Sequence, residues 1–119
     1  MSHYIDGFVL PIPRDKLDAY ERVVAVVAEV WKSHGALDYR EYVGDDMTLE
    51  GTRTFPDAVD ATDDDVVVFG WVVFESREAR DRANAAVPND AKMIELMNST
   101  DCGFDATRMV YGGFRPIGA

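Results

Sequence analysis

The side chains of this chain best placed to do chemistry are polar groups set inside apolar strands. Asp6 stands between Tyr4 and Phe8 on one face of the alternating segment Tyr4-Ile5-Asp6-Gly7-Phe8. Tyr39 and Glu41 share a face of a second alternating segment. Arg108 and Tyr111 fall in a third, on opposite faces if that strand is regular, a phase that Gly112-Gly113 could alter. A carboxylate, a guanidinium and phenols in an apolar enclosure suit a small aromatic ligand with a polar head. Asp6, Glu41 and Arg108 are therefore the candidates for catalysis. Tyr4, Tyr39, Trp71 and Tyr111 are the candidates for ligand contact, though Trp71 fits a sheet core or dimer contact first and a ligand wall only second. Asp6 and Arg108 are expected on neighbouring strands, where a plain ion pair fixing strand or subunit register would account for both.

Other constellations are poorer. His3, His34, Cys102 and the aspartates show no metal-ligand spacing, so no metal site is expected. His34 suits a helix C-terminus. Asp63-Asp64-Asp65 lacks the alternating ligands and central glycine of a calcium loop, and Asp45-Asp46 reads as turn chemistry. Ser33, Ser76 and Ser99 lie in no nucleophile elbow, and Cys102 reads as a small buried apolar residue. Gly112-Gly113 is not a phosphate loop, and no cofactor fingerprint occurs.

The elements that must position these groups follow from hydrophobic periodicity. Residues 3–12 alternate as a strand that Pro11 and Pro13 end. A helix then runs to about His34, with Leu17, Tyr20, Val24, Val27 and Trp31 on one stripe, widened by Val23 and Val30, and Gly35 as its stop. Residues 37–44 form the second strand. A polar connection reaches Asp65, with Thr52–Phe55 as a short extra strand and Phe55 and Val59 as its anchors. The third strand, 66–75, contains Val66-Val67-Val68-Phe69-Gly70-Trp71-Val72-Val73-Phe74, apolar on both faces. Such a strand needs cover above and below. Ser76 caps a helix with a small-residue face of Ala79, Ala83 and Ala86; Pro88 breaks it, and a shorter helix follows at about 90–98. Residues 107–115 form the last strand, where Gly112-Gly113 suggests a bulge or a close backbone contact.

The order βαββαβ predicts an α+β ferredoxin-like sandwich with an antiparallel four-stranded sheet in the order 4-1-3-2. Its helices suffice for one face. A second copy packed sheet to sheet across a two-fold axis would cover the other, so a homodimer is expected.

Composition bounds the rest. The 119 residues fit a single domain spanning 1–119. One cysteine excludes an internal disulfide, and the N-terminus shows no signal-peptide pattern, so a cytoplasmic protein is expected. The net charge of −10 argues against nucleic acid and anionic membranes as partners. Aspartate outnumbers glutamate 15 to 7 and arginine outnumbers lysine 9 to 3. Halophilic adaptation and drift in a GC-rich genome both account for that bias.

Several stretches together resemble one family. They are Tyr4-Ile5-Asp6-Gly7-Phe8, Val43-Gly44-Asp45-Asp46, Val66 to Trp71, Ser76-Arg77 through Arg80-Asp81 to Asn84, and Phe104-Asp105 with Arg108 to Phe114. In this order they are similar to the YbaA-like domain-of-unknown-function family of small bacterial proteins, over nearly the whole chain. The resemblance implies the dimeric α/β-barrel architecture, a group that includes monooxygenases, isomerases, haem enzymes and ligand-binding domains; it leaves function open. The chain has Tyr42 where members often carry cysteine, and Cys102-Gly103-Phe104-Asp105-Ala106 where they often carry Met-Pro-Phe-Asp-Gly. Cysteine chemistry at the first position is therefore closed to it. Three classes of function remain: a small-molecule-binding protein with a pocket near the sheet, a cofactor-independent oxygenase or isomerase acting on a small apolar or aromatic substrate, and a protein-interaction module.

Overall fold

The structure, a computed structural model, describes residues 3–118. Four strands, β1 (Tyr4–Pro13), β2 (Asp38–Val43), β3 (Asp65–Phe74) and β4 (Val110–Phe114), form one sheet in the order β2-β3-β1-β4. Every neighbouring pair is antiparallel. The expected topology and strand order are thus present. The helices are α1 (Leu17–Ser33), a single turn α2 (Phe55–Ala58), α3 (Arg77–Ala86) and α4 (Ala91–Ser99). No helix among the described residues is long and apolar enough to cross a membrane.

β1 continues through Pro11 instead of ending there. β4 accompanies β1 only from Ile5 to Val9, so beyond Val9 that side of β1 is an edge. A residue without an N–H is tolerated at such a position. After a 3-10 turn at Arg14–Lys16, α1 runs to Ser33, and Gly35 terminates it with φ +108°. The Ser76 hydroxyl accepts from the Ala79 amide and caps α3. Asp90 caps α4 by accepting from the Lys92 amide and also pairs with His34 Nε2 at 2.8 Å, which ties the end of α1 to the start of α4.

Alternation divides the sheet into two unlike faces. The inner face carries Phe8, Leu10, Ile12, Val68, Val72 and Phe74, and α1 lays Tyr20, Val23, Val24 and Val27 against it. Ala79 and Ala83 bring α3 close, as their size permits. On the outer face a smaller cluster of Val9, Val59 and Val67 is covered by Met47 and Ala61 from the long connection. Thr52–Phe55 is not a strand. Thr54 caps the turn α2, and Phe55 stacks on Phe69 at 6.2 Å. The anchors Phe55 and Val59 hold this segment as their apolar character requires. The rest of the outer face is open, and Tyr42, Phe69 and Phe114 are 50%, 44% and 59% exposed.

The expected contact between Asp6 and Arg108 does not form. Arg108 precedes the last strand, in a 3-10 turn at Ala106–Arg108, and its guanidinium binds Asp65 at 2.9 Å. Asp6 faces Arg80 of α3 instead, at 3.4 Å. Nor is there a bulge at Gly112-Gly113, because β4 pairs with β1 in continuous register. The glycine at 113 serves a close approach: a Cβ there would collide with the Tyr4 ring.

The Arg108–Asp65 pair closes the long connection onto the start of β4. The Arg108 hydrogen bond, helped by the Thr62 amide, holds the Asp65 carboxyl below the usual carboxylate range. The folded state therefore binds this proton less readily than the unfolded one. The resulting stability is complete above about pH 4 and is lost as the pH falls through the lowered folded value. Asp65→Asn should flatten that part of the acid denaturation profile. Because the Arg108 side chain is 33% exposed, its coupling to Asp65 in a double-mutant cycle with Arg108→Met should be about 1 kcal/mol. Additive losses, or an acid limb unchanged by Asp65→Asn, would overturn this assignment.

Candidate functional site

Between the inner face and the helices lies a cavity of about 730 Å³. Part of the apolar stripe of α1 forms its wall: Tyr20, Val23, Val24, Val27 and Trp31 all border it. The sheet supplies the floor, with Asp6, Phe8, Tyr39, Glu41, Val72 and Tyr111. Met93, Ile94 and Met97 of α4 close another side with Phe104 and Met109. Ile94, Met97 and Phe104 are half exposed, which places the mouth along α4 and the segment that follows it. The wall is mostly apolar, and the polar groups are few, as ligand cavities generally require.

Glu41 is the most unusual of those groups. Its two carboxylate oxygens each accept one phenolic hydrogen bond, Oε1 from Tyr20 and Oε2 from Tyr39, the latter at 2.5 Å. The three side chains come from α1 and two alternate positions of β2. Burial pushes the Glu41 carboxyl above its usual range, and the two phenols partly oppose this by stabilising the anion. Burial and the adjacent Glu41 charge push both tyrosines far up, so they remain neutral donors. Among the described residues Glu41 makes no ion pair.

Gly70 makes room for this arrangement. It sits opposite both Glu41 and Phe8 in the sheet, and a Cβ there would meet the Phe8 ring and Glu41 Cγ. The glycine in the middle of the apolar run thus lets the two side chains lean toward one another across β3.

A second polar group lies on the other side of β3. Asp6 is 2% exposed, and its Oδ1 has no hydrogen-bond partner. Burial raises its pKa, and the Tyr111 hydroxyl and Arg80 offset only part of that. Arg80 donates to the hydroxyls of Tyr111 at 2.7 Å and Tyr4 at 3.2 Å, and its guanidinium carbon lies 5.0 Å from the Tyr4 ring centroid. Asn84 donates to Tyr111 as well.

Of the sequence candidates, the structure brings Asp6, Glu41, Tyr39 and Tyr111 to the cavity. Tyr4 stands beside it under Arg80. Arg108 is engaged with Asp65, and Trp71 is on the outer face, stacked on Tyr42 at 5.2 Å. These two are therefore not cavity residues. Tyr20, Arg80 and Asn84 were missed. Tyr20 is the only hydroxyl on the apolar stripe of α1, and Arg80 and Asn84 are one helical turn apart beside the alanine face of α3, so both signals were present. Cys102 is buried in the cavity wall, as its apolar reading predicts. Among the described residues no three His, Cys, Asp or Glu side chains are grouped to hold a metal ion.

The Glu41 carboxyl should titrate above the ordinary glutamate range when followed by carbon-detected NMR. Tyr39→Phe should move it further up, because the anion loses a donor. A raised folded value means the folded state holds this proton more tightly. Its stabilising effect is full below about pH 4.3 and is lost as the pH rises through the folded value. A midpoint at or below the ordinary range would overturn the assignment.

Relatives can now be set beside this geometry. Residues 3–106 match the family described as Protein of unknown function (DUF1428). The Uncharacterized protein YbaA of Escherichia coli K12 is 40% identical over 114 residues, 96% of each chain. Among solved structures, a monooxygenase of Streptomyces coelicolor in complex with nanaomycin D superposes with a TM-score of 0.57 at 17% identity, covering 99% of this chain and 90% of that one. A NIPSNAP-like domain protein from Burkholderia xenovorans gives 0.57 at 13%, covering 97% and 85%. At those identities the two structures establish a shared fold only. The match over most of the chain and the 40% identity to YbaA establish kinship: this protein belongs to the DUF1428 family.

Proposed function

We propose that this protein binds a small, largely apolar molecule in the cavity between sheet and helices, as a cytoplasmic homodimer. The observation that carries the reading is the cavity itself, about 730 Å³ with a mostly apolar wall and a few polar groups on its floor. Val24, Val27 and Trp31 leave room in front of the sheet where a stripe of this kind ordinarily fills a core. The nanaomycin D complex is that monooxygenase's own property; it supports the reading in that a protein of this fold holds a small molecule. The single thiol and the absence of a membrane-length helix among the described residues are compatible with the cytoplasm.

A second reading, catalysis without a cofactor by an oxygenase or isomerase, is favoured by Glu41. A carboxyl of raised pKa facing an apolar cavity is suited to taking a proton from a bound substrate. Binding comes first in either case, so the cavity is tested directly. 2-Naphthol, a neutral apolar fluorophore, should bind saturably, and Val27→Trp should weaken it by about tenfold or more by filling the cavity. Equal binding to the variant would remove the cavity from the function.

The dimer rests on the outer face. Phe55, Phe69, Trp71 and Tyr42 form a continuous row of aromatic contacts across it. Ile5, Val110 and Phe114 extend the exposed apolar surface. Partly exposed side chains of this size offer on the order of 600 Å² per copy, near the ~800 Å² per partner of a standard interface. Charge enters this face through Arg40, opposite Trp71, and is balanced there by Asp38 at 3.1 Å, so a second acidic copy can approach. Sedimentation at micromolar concentration should give twice the chain mass, and Phe69→Asp should give a folded monomer. A monomeric native protein would overturn the assembly.

A further inference from the structure

The geometry points to an organic ammonium as the ligand class: an apolar or aromatic body carrying a protonated amine, with the Glu41 carboxylate as its counter-ion. This inference rests on the cavity being a binding site and adds which chemistry it selects. Three observations converge on it.

First, the residues bordering the cavity include two carboxylates, Asp6 and Glu41, and no lysine, arginine or histidine. The Glu41 carboxyl is partly buried, and when ionised its side-chain partners among the described residues are two neutral phenols. Hydrogen bonds from phenols satisfy its oxygens in part and leave its charge unbalanced, a costly state in an apolar setting. A cation entering the cavity supplies the missing charge.

Second, the phenol donors nearest Glu41 are already committed. Tyr20 and Tyr39 give their protons to Glu41. Asn84 donates to the Tyr111 oxygen, which also accepts from Arg80. What remains is acceptor capacity on Glu41, through its further lone pairs; Asp6 Oδ1 makes no hydrogen bond but is held by Arg80 Nη1 at 3.4 Å. Register places Asp6 two strands from Glu41 and two residues along, roughly 12 Å between Cα atoms. A ligand suited to this floor brings hydrogen-bond donors, and an ammonium group brings three.

Third, the walls near Glu41 are aromatic. Phe8 leans toward it over Gly70 and packs on Tyr39 with ring centroids 6.4 Å apart, and Trp31 borders the same cavity. Ring faces attract cations, most strongly out of water. Neutral and anionic ligands gain nothing from that attraction, and an anion would face the Glu41 carboxylate.

The test is a head-group series on fixed apolar bodies, benzyl, 2-naphthylmethyl and n-octyl, each as the primary amine, the alcohol and the carboxylate. Titration calorimetry of the native protein at neutral pH should rank amine over alcohol over carboxylate. The best amine should bind about tenfold or more tighter than its alcohol, the scale of one desolvated ion pair. Glu41→Gln should remove that preference. An alcohol that binds as well as its amine to the native protein, with binding lost in Val27→Trp, would overturn the ammonium assignment and leave the cavity reading standing. If no body binds with any head group, both fall. The ranking on native protein decides the matter even if Glu41→Gln does not fold.

Discussion

A four-stranded sheet with apolar residues on both faces of its central strand, and helices for one face only, governs this structure. β3 sends Val66, Val68, Val72 and Phe74 toward the helices, and Val67, Phe69, Trp71 and Val73 away from them. The helical layer must therefore come from the two crossovers, α1 and α3–α4, packed on the same side. The long connection after β2 reaches the other side only as far as Val9 and Val67. Everything unusual about the surface follows from that incomplete cover, including the aromatic row from Phe55 to Tyr42.

The helical layer is not a close fit either, and the site lies in its gap. α1 buries Tyr20, Val23 and Val30, while Val24, Val27 and Trp31 are only partly buried where they pack on the core and border the cavity. Folding normally selects against such a gap, because close packing contributes the last few kcal/mol of stability. Two carboxylates facing it, each held above its usual range by burial, are a further cost to the folded chain. Their electrostatic cost is partly relieved within the protein, by two phenols for Glu41 and by Arg80 and Tyr111 for Asp6. Relief by partial partners is the arrangement expected where a ligand completes the set.

The fold was legible in the sequence because its signals are local and repeated. Alternation in β1 and β3, the three-four spacing of α1, Ser76 as a cap and the alanine face of α3 each determine an element. The βαββαβ order then leaves one common topology. Errors gathered where a residue's neighbours come from distant segments. Met109, Val110 and Tyr111 give Arg108 the local pattern of a strand, yet Asp105 caps a 3-10 turn there and the guanidinium meets Asp65. Pro11 has the local character of a strand stop, and periodicity does not reveal that β4 is shorter than β1.

The site was half legible for the same reason. Asp6, Glu41, Tyr39 and Tyr111 stand out as polar residues in apolar strands, which a single segment displays. Their partners do not. Tyr20 reads as one more member of a core stripe until β2 is placed under it, and Arg80 reads as a solvated helix residue until β1 brings Asp6 beneath it. The same register that joins Phe8 to Gly70 and Gly70 to Glu41 makes the glycine the midpoint of the floor. An alanine at that position would satisfy the strand pattern equally well. Only the packing of Phe8 and Glu41 across β3 explains why the run of large apolar residues is interrupted there, and it ties the chemistry of the cavity to the strand that organises the fold.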